Sequence, residues 1–253
     1  MKKFASVAVC LVFLLLLCTL SAGVEAAKPD KAEQHFERGN AHYEQRRFDQ
    51  AIAEYSKAIR INPLHKEAYY GRVSSYNQQL KYDLAIADLT RIIEIDQQDV
   101  MGYFWRGFTY SVQQKYDLAI ADYTRVIEIN PQHRLAYRWR GTAYGFQQKY
   151  DLAVADYSRV IEIDPQNFRA YLERGSVYLL QRKYDMAIAD FIRVIEIDPQ
   201  NDQVYILRGV VYFFQQKYDL AVADFNRAIE IDPKNEEAHR LREQAYAAQQ
   251  QKT

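Results

Sequence analysis

The chain has 253 residues, 33 basic and 33 acidic side chains, 49% hydrophobic and 14% aromatic content, and 21 tyrosines against 9 glycines and 6 prolines. Zero net charge excludes a nucleic-acid binder that works by general phosphate attraction, and the apolar and aromatic content excludes a mostly disordered chain. The tyrosine excess points either to a sticky binding surface or to one packing slot used many times.

Residues 1–27 open with Lys2 and Lys3, run uncharged and apolar from Phe4 to Leu20, and end in small residues around Ala26 and Ala27. That order is that of a secretory signal peptide. The chain is therefore expected to be exported, periplasmic or secreted, with the basic opening favouring a bacterial periplasm. The apolar run is also near the lower length at which a helix spans a bilayer, so an uncleaved anchor through residues 4–20 is the alternative. Lipidation at Cys18 is disfavoured, because Leu16 and Leu17 stand where bacterial lipoprotein signals carry small residues. Cleavage after Ala26 would leave 31 basic and 32 acidic side chains and would remove both cysteines, Cys10 and Cys18. No disulfide or thiolate metal site is then expected in the mature chain.

Beyond this segment the sequence repeats with a period of 34. KYDLAIADLTRIIEI at Lys81 returns at Lys115, Lys149, Lys183 and Lys217 with few changes, and a weaker copy starts at Arg47. Six repeats cover residues 32–65, 66–99, 100–133, 134–167, 168–201 and 202–235, followed by a Gln-rich tail over 236–253. Each repeat reads as two helices: in the fourth, LAYRWRGTAYGFQQ has apolar residues at helical spacing, and DLAVADYSRVIEI runs from Asp151, read as its N-cap, to Asp164-Pro165. Proline closes every repeat but the second, where Gln97 stands instead.

The seven recurring slots 4, 8, 11, 20, 24, 27 and 32 are filled in the fourth repeat by Tyr137, Gly141, Tyr144, Ala153, Tyr157, Val160 and Pro165. In these residues the chain resembles the tetratricopeptide repeat family over essentially all of residues 28–235. The resemblance implies an all-α, right-handed solenoid of six helix-turn-helix repeats whose first helices line a concave groove. Residues 236–251 are expected to form the polar helix that caps such arrays. Val73 in the glycine slot, Gln97 in the proline slot, and His35 and His42 in aromatic slots depart from the pattern. They predict a frayed first repeat and a looser joint after the second.

An arginine precedes the glycine slot in every repeat, and an acidic residue recurs 16 positions later, as in Arg140 with Asp156. Ion pairing between helices or across the repeat joint explains this better than an anion track. Arg and Glu three apart on the second helices (Arg125 with Glu128, Arg159 with Glu162, Arg193 with Glu196) read as a solvated outer face. The five histidines lack metal-ligand spacing, and no nucleophile motif, phosphate loop or zinc signature occurs. Neither a cofactor, a metal nor an enzymatic activity is therefore expected.

The second helices are near copies of one another, whereas the first helices differ at slots 2, 5, 6, 9, 12 and 13, which the resemblance places on the groove. Those slots hold Phe104, Trp105 and Phe108 in the third repeat, Arg138, Trp139 and Phe146 in the fourth, Leu172 and Leu179 in the fifth, and Ile206, Leu207 and Val210 in the sixth. Large aromatics beside an arginine have the composition of interaction hot spots, and an uncovered apolar stripe costs solubility. Trp105 and Trp139 share slot 6 and are expected to stack on one another. The groove is thus expected to take a protein or peptide segment, extended or helical, with apolar anchors. A carboxylate clamp is not expected, since only Asn40 suits one. The alternatives are a self-associating protein whose apolar groove is buried in a homo-oligomer, and a non-catalytic accessory module of a secreted enzyme complex. Phe213 and Phe214 divide evenly between groove and packing beneath the tail. Eighteen of the 21 tyrosines fall in slots 4, 11, 17 and 24, so their excess is mainly a framework residue counted once per repeat.

Overall fold

The structure, a computed structural model, describes residues 30–251; the signal-peptide or anchor segment, residues 1–27 with both cysteines, lies outside them. Thirteen helices and no strand occur among the described residues: α1 (Lys31–Glu44), α2 (Phe48–Ile61), α3 (Lys66–Gln78), α4 (Tyr82–Ile95), α5 (Val100–Val112), α6 (Tyr116–Ile129), α7 (Arg134–Phe146), α8 (Tyr150–Ile163), α9 (Phe168–Leu180), α10 (Tyr184–Ile197), α11 (Asp202–Phe214), α12 (Tyr218–Ile231) and α13 (Glu236–Gln250). The fold is an all-α solenoid of helical hairpins with the register read from the repeats. It divides between Gln79 and Leu80 into two compact units.

The first unit holds α1, α2 and α3, with each pair of helices in contact. Its first repeat is a complete hairpin, not a frayed one. His35 Nδ1 meets Glu54 Oε2 at 2.6 Å, and the Tyr55 hydroxyl donates to Asn40 Oδ1 at 2.8 Å. Tyr55 is buried among Ala51, Ala58 and Ala68, and burial pushes its hydroxyl pKa up to about 12. The ring lies so close to Gly39 that a Cβ there would meet Tyr55 Cε1 at 2.5 Å.

The second unit holds α4 to α13. Four hairpins, α5–α6, α7–α8, α9–α10 and α11–α12, pack in sequence with α4 before them and α13 after them. First helices also touch first helices (α5 with α7, α9 with α11, α11 with α13), which sets them in a row. The core of each hairpin is a slot-24 ring against a slot-8 glycine: Tyr123 on Gly107, Tyr157 on Gly141, Phe191 on Gly175 and Phe225 on Gly209. All four rings are at most 4% exposed. The tail forms α13 as expected, burying Ala238 and Ala245.

The turn inside each repeat differs from its reading in the sequence. The residue before the helix-two Lys stands in the left-handed region, as Gln148 does at φ 60°. Gln148 N–H donates to Gly145 O, and Lys149 N–H donates to Tyr144 O. These two bonds close the first helix by a Schellman motif. Helix α8 therefore starts at Tyr150, and Asp151 lies inside its first turn instead of capping it. Its carboxylate instead accepts from Gln181 Nε2, 30 residues on in the next repeat, at 2.9 Å. Gln113 with Asp83 and Gln147 with Asp117 repeat the bond. The caps lie on the first helices: the side chains of Asp99, His133, Asn167, Asn201 and Asn235 each accept a backbone N–H three residues ahead. The joint without proline is built like the others and is no looser. Asp96 Oδ1 accepts from Gln98 N–H at 3.0 Å, and Asp99 caps α5.

Candidate functional site

The arginine column is structural. Arg140 donates from Nε and Nη2 to the two carboxylate oxygens of Asp156 at 2.9 and 2.8 Å, and from Nη1 to Thr124 Oγ1 at 3.0 Å. One guanidinium thus ties three helices, its own and the second helices of two repeats. Arg106 and Arg174 make the same set with Asp122 and Thr90, and with Asp190 and Ser158. The slot-4 and slot-11 tyrosines sandwich the guanidinium, as Tyr137 and Tyr144 do at 5.6 and 5.9 Å. Burial pushes the Asp122, Asp156 and Asp224 carboxyls above the ordinary aspartate range, and the facing guanidinium offsets that only in part. The first repeat departs from the pattern: Glu54 takes His35 and Lys57. The outer Arg–Glu pairs form as read, from Arg125 with Glu128 to Arg193 with Glu196.

With that column committed to the joints, the first helices of the second unit present the remaining surface. Trp105 is 37% and Phe146 66% exposed, while Phe108 and Trp139 are half-buried. The tryptophans do not stack on one another. Phe108 stands between them, edge-on to Trp105 at 5.8 Å and to Trp139 at 5.2 Å. The cause is the stagger of the row, which brings slot 9 of one first helix against slot 6 of the next. Arg138 lies over the Trp139 ring at 5.4 Å and grips Glu173 of α9 with three hydrogen bonds of 2.6 to 3.0 Å. The Glu173 carboxylate raises the Arg138 pKa, fixing it as a cation.

Two neighbouring cavities open beside this ladder. One, of about 230 Å³, is lined by Phe108, Ser111, Val112, Tyr116, Trp139, Thr142, Ala143 and Phe146. The other, of about 460 Å³, is lined by Thr142, Gly145, Phe146, Tyr157, Leu172, Glu173, Ser176, Val177, Leu180 and Gln203. Phe146 belongs to both, and its ring stacks on Tyr116 at 5.1 Å and 8°. Of the groove residues read from the sequence, Trp105, Phe108, Arg138, Trp139, Phe146 and Leu172 come together here. Leu179 and Leu207 pack as half-buried side chains on the core of the last repeats, and Val210 packs on the cluster beneath α13.

Phe104 and Ile206 are 5% and 7% exposed and belong to the core. Phe104 packs on Tyr123 and His133. Both stand in slot 5, as do Leu172, which is half-buried and lines the larger cavity, and Arg138, which reaches out to Glu173. Phe213 packs with Phe225 and Ala245, whereas Phe214 is 58% exposed and stacked on Tyr184 at 6.3 Å. Tyr116 was not legible as a lining residue, because it belongs to a second helix. The signal for it is the spacing of 30 between a slot-17 tyrosine and a slot-13 phenylalanine, which recurs at Tyr184 and Phe214. Asn40, the one side chain suited to a carboxylate clamp, is engaged by Tyr55.

Models of the tetratricopeptide repeat match residues 36–100, 100–133, 168–201 and 203–235, and a TPR repeat model matches residues 146–182. No curated protein matches the chain. Among solved structures it is similar to YrrB, described as a TPR protein with an unusual peptide-binding site, at 21% identity and a TM-score of 0.63 over 75% of this chain and 97% of that one. It is similar to MamA at 23% identity and a TM-score of 0.62, covering 64% and 95%. The Pseudomonas aeruginosa PilF structure matches at 14% identity and a TM-score of 0.66, covering 85% and 98%. At these identities the likeness concerns the fold. Repeat models that together span well over half of the sequence place the chain in the tetratricopeptide repeat family.

Proposed function

We propose that this protein is an exported interaction scaffold that captures a protein segment on the first-helix face of its second unit and so organises an envelope-associated or secreted assembly. The observation that carries the reading is the ladder Trp105–Phe108–Trp139 beside two apolar-lined cavities. Exposed aromatics with an arginine alongside are the residues from which binding energy is drawn at interfaces. The slots that hold them vary from repeat to repeat, while the arginine slot of the joints does not. The description of YrrB as carrying a peptide-binding site supports a peptide as the class of ligand. The order of charges and apolar residues in the first 27 positions supports export.

The test is a crosslinked pull-down from the envelope of the producing cell, with wild type and a Trp105→Ala/Trp139→Ala variant whose helicity and melting temperature are checked first. Wild type is expected to recover discrete partners that the variant loses. Equal recovery by both removes the groove from the mechanism. The N-terminal sequence of the protein isolated from that envelope tests export, with a start at or near Ala27 expected.

A further inference from the structure

We propose that the segment held in this groove is an amphipathic helix and not an extended strand, with two of its apolar side chains astride Phe146. The inference rests on the groove reading above and adds the conformation and chemistry of the occupant. An extended segment entering an apolar groove loses water from its backbone N–H and C=O groups and needs partners for them from the wall.

Here the wall's oxygens keep acceptor lone pairs, but it has few hydroxyl or amide donors left for a strand's carbonyls. Ser111 is paired with the Tyr123 hydroxyl at 3.3 Å, and Thr142 donates to Arg138 O or meets the Tyr157 hydroxyl at 3.1 and 3.2 Å. Ser176 donates to Leu172 O at 2.7 Å. Glu173 accepts on both carboxylate oxygens from Nε and Nη2 of Arg138. Gln203 and the Tyr116 hydroxyl are the exceptions among the lining residues, too few to serve a strand. A helix satisfies its backbone internally and asks the wall only for apolar contact.

The charges agree. Arg138 and Glu173 cancel each other, so the lining presents no net charge to the ligand, and the apolar face of the helix should be uncharged. The placement of Phe146 supplies the register. Its ring stands 66% exposed between the two cavities, so side chains one helical turn apart, at i and i+4, can enter one cavity each. The smaller cavity, walled by Phe108, Val112, Trp139 and Phe146, takes an aromatic ring. The larger one, with Gln203 at its edge, takes an aliphatic or mixed side chain.

Three peptides of about eighteen residues, built from glutamine and alanine with one phenylalanine and two leucines, separate the possibilities. The first places the anchors at i, i+4 and i+7, and the second has the same composition with anchors at i, i+2 and i+4. The third is the first with a central proline. Trp105 and Trp139 are the two tryptophans of the chain, so their fluorescence reports binding directly on the full-length protein. The first peptide is expected to bind at least about tenfold more tightly than the others, the cost of one or more unpaired backbone groups. Phe146→Ala should weaken it by a similar factor without altering the fold. If the second or third peptide binds as tightly as the first and Phe146→Ala weakens it, the groove stands and the helical occupant is overturned. If no peptide changes the fluorescence, or Phe146→Ala leaves every response unchanged, the groove reading itself falls and the proposal with it.

Discussion

Removing Asp156 tests whether the arginine column holds the repeats together as an ion pair. In Asp156→Ala the guanidinium of Arg140, whose side chain is 16% exposed in the wild type, loses two hydrogen bonds and keeps Thr124 and two tyrosine faces. Breaking a buried pair from one side costs about 3–5 kcal/mol. The remaining hydroxyl and the two tyrosine faces place the expected loss at the lower end, about 3 kcal/mol. Arg140→Met/Asp156→Ala removes both charges, keeps the arginine stem in methionine form, and leaves no buried ion. It is expected to cost only about 1–2 kcal/mol, so the double variant should be more stable than Asp156→Ala alone. The assay is urea unfolding followed by far-UV circular dichroism, with all variants in one repeat so that array effects cancel. Raising salt should change the coupling little, since the pair is shielded from solvent. If the two single losses add up in the double variant within about 0.5 kcal/mol, the two side chains act independently and the pairing argument is refuted.

Two further perturbations follow from local geometry. A Cβ on Gly175 would meet Phe191 Cε1 at 2.7 Å, whereas one on Gly145 meets nothing within 4 Å; Gly175→Ala should therefore lose about 1–3 kcal/mol and Gly145→Ala gain up to about 0.5–1 kcal/mol, read as opposite shifts of the urea midpoint. His133 caps α7 by accepting the Ala136 N–H on Nδ1 at 3.1 Å, which requires the neutral ring, and burial holds its pKa below the usual imidazole value. A folded pKa below the unfolded one means that the cap is present above about pH 6.5 and is lost as pH falls through the folded value. His133→Asn installs the amide cap already used by Asn167 and Asn201. The melting temperature of wild type should therefore fall about 2–4 °C further than that of the variant between about pH 7 and pH 5. Equal falls would show that the imidazole cap contributes nothing.

How much of this was legible in the sequence depends on whether an interaction repeats with the period and stays within it. The hairpins, their boundaries to a residue or two, and the pairing of Arg140 with Asp156 all repeat at fixed offset, so one chain compared with itself exposes them. The bond from Gln181 to Asp151 also repeats, but its offset of 30 crosses a joint. Within one repeat Asp151 looks like a cap because aspartate is a good one. The left-handed Gln148 and the closure onto Tyr144 take the turn that a cap would need. At the groove the slot number gave the face but not the depth. Slot 5 is core for Phe104 and Ile206, cavity wall for Leu172, and at Arg138 holds a guanidinium paired with Glu173, because an apolar side chain gains by burial where a charged head needs a partner.

The same within-chain comparison separates what the joint requires from what it tolerates. Arg106, Arg140 and Arg174 each reach forward to an aspartate and back to a Ser or Thr hydroxyl. At Arg208 the backward position is Ile192, and the forward pair with Asp224 persists unchanged at 2.9 and 2.7 Å. Arg242 of α13 makes the backward bond, to Asn226 at 3.1 Å. The carboxylate is thus kept at Arg106, Arg140, Arg174 and Arg208, while at Arg208 the hydroxyl is exchanged for an isoleucine with the forward pair intact. The pattern follows desolvation, which penalises an unpaired buried charge more than the loss of one neutral acceptor. It also explains why variation collects on the first-helix row. A joint arginine serves three helices at once and cannot change alone, whereas Trp105 and Phe108 make their ring contacts along the row, so selection for a partner can rewrite them with less disturbance to the array.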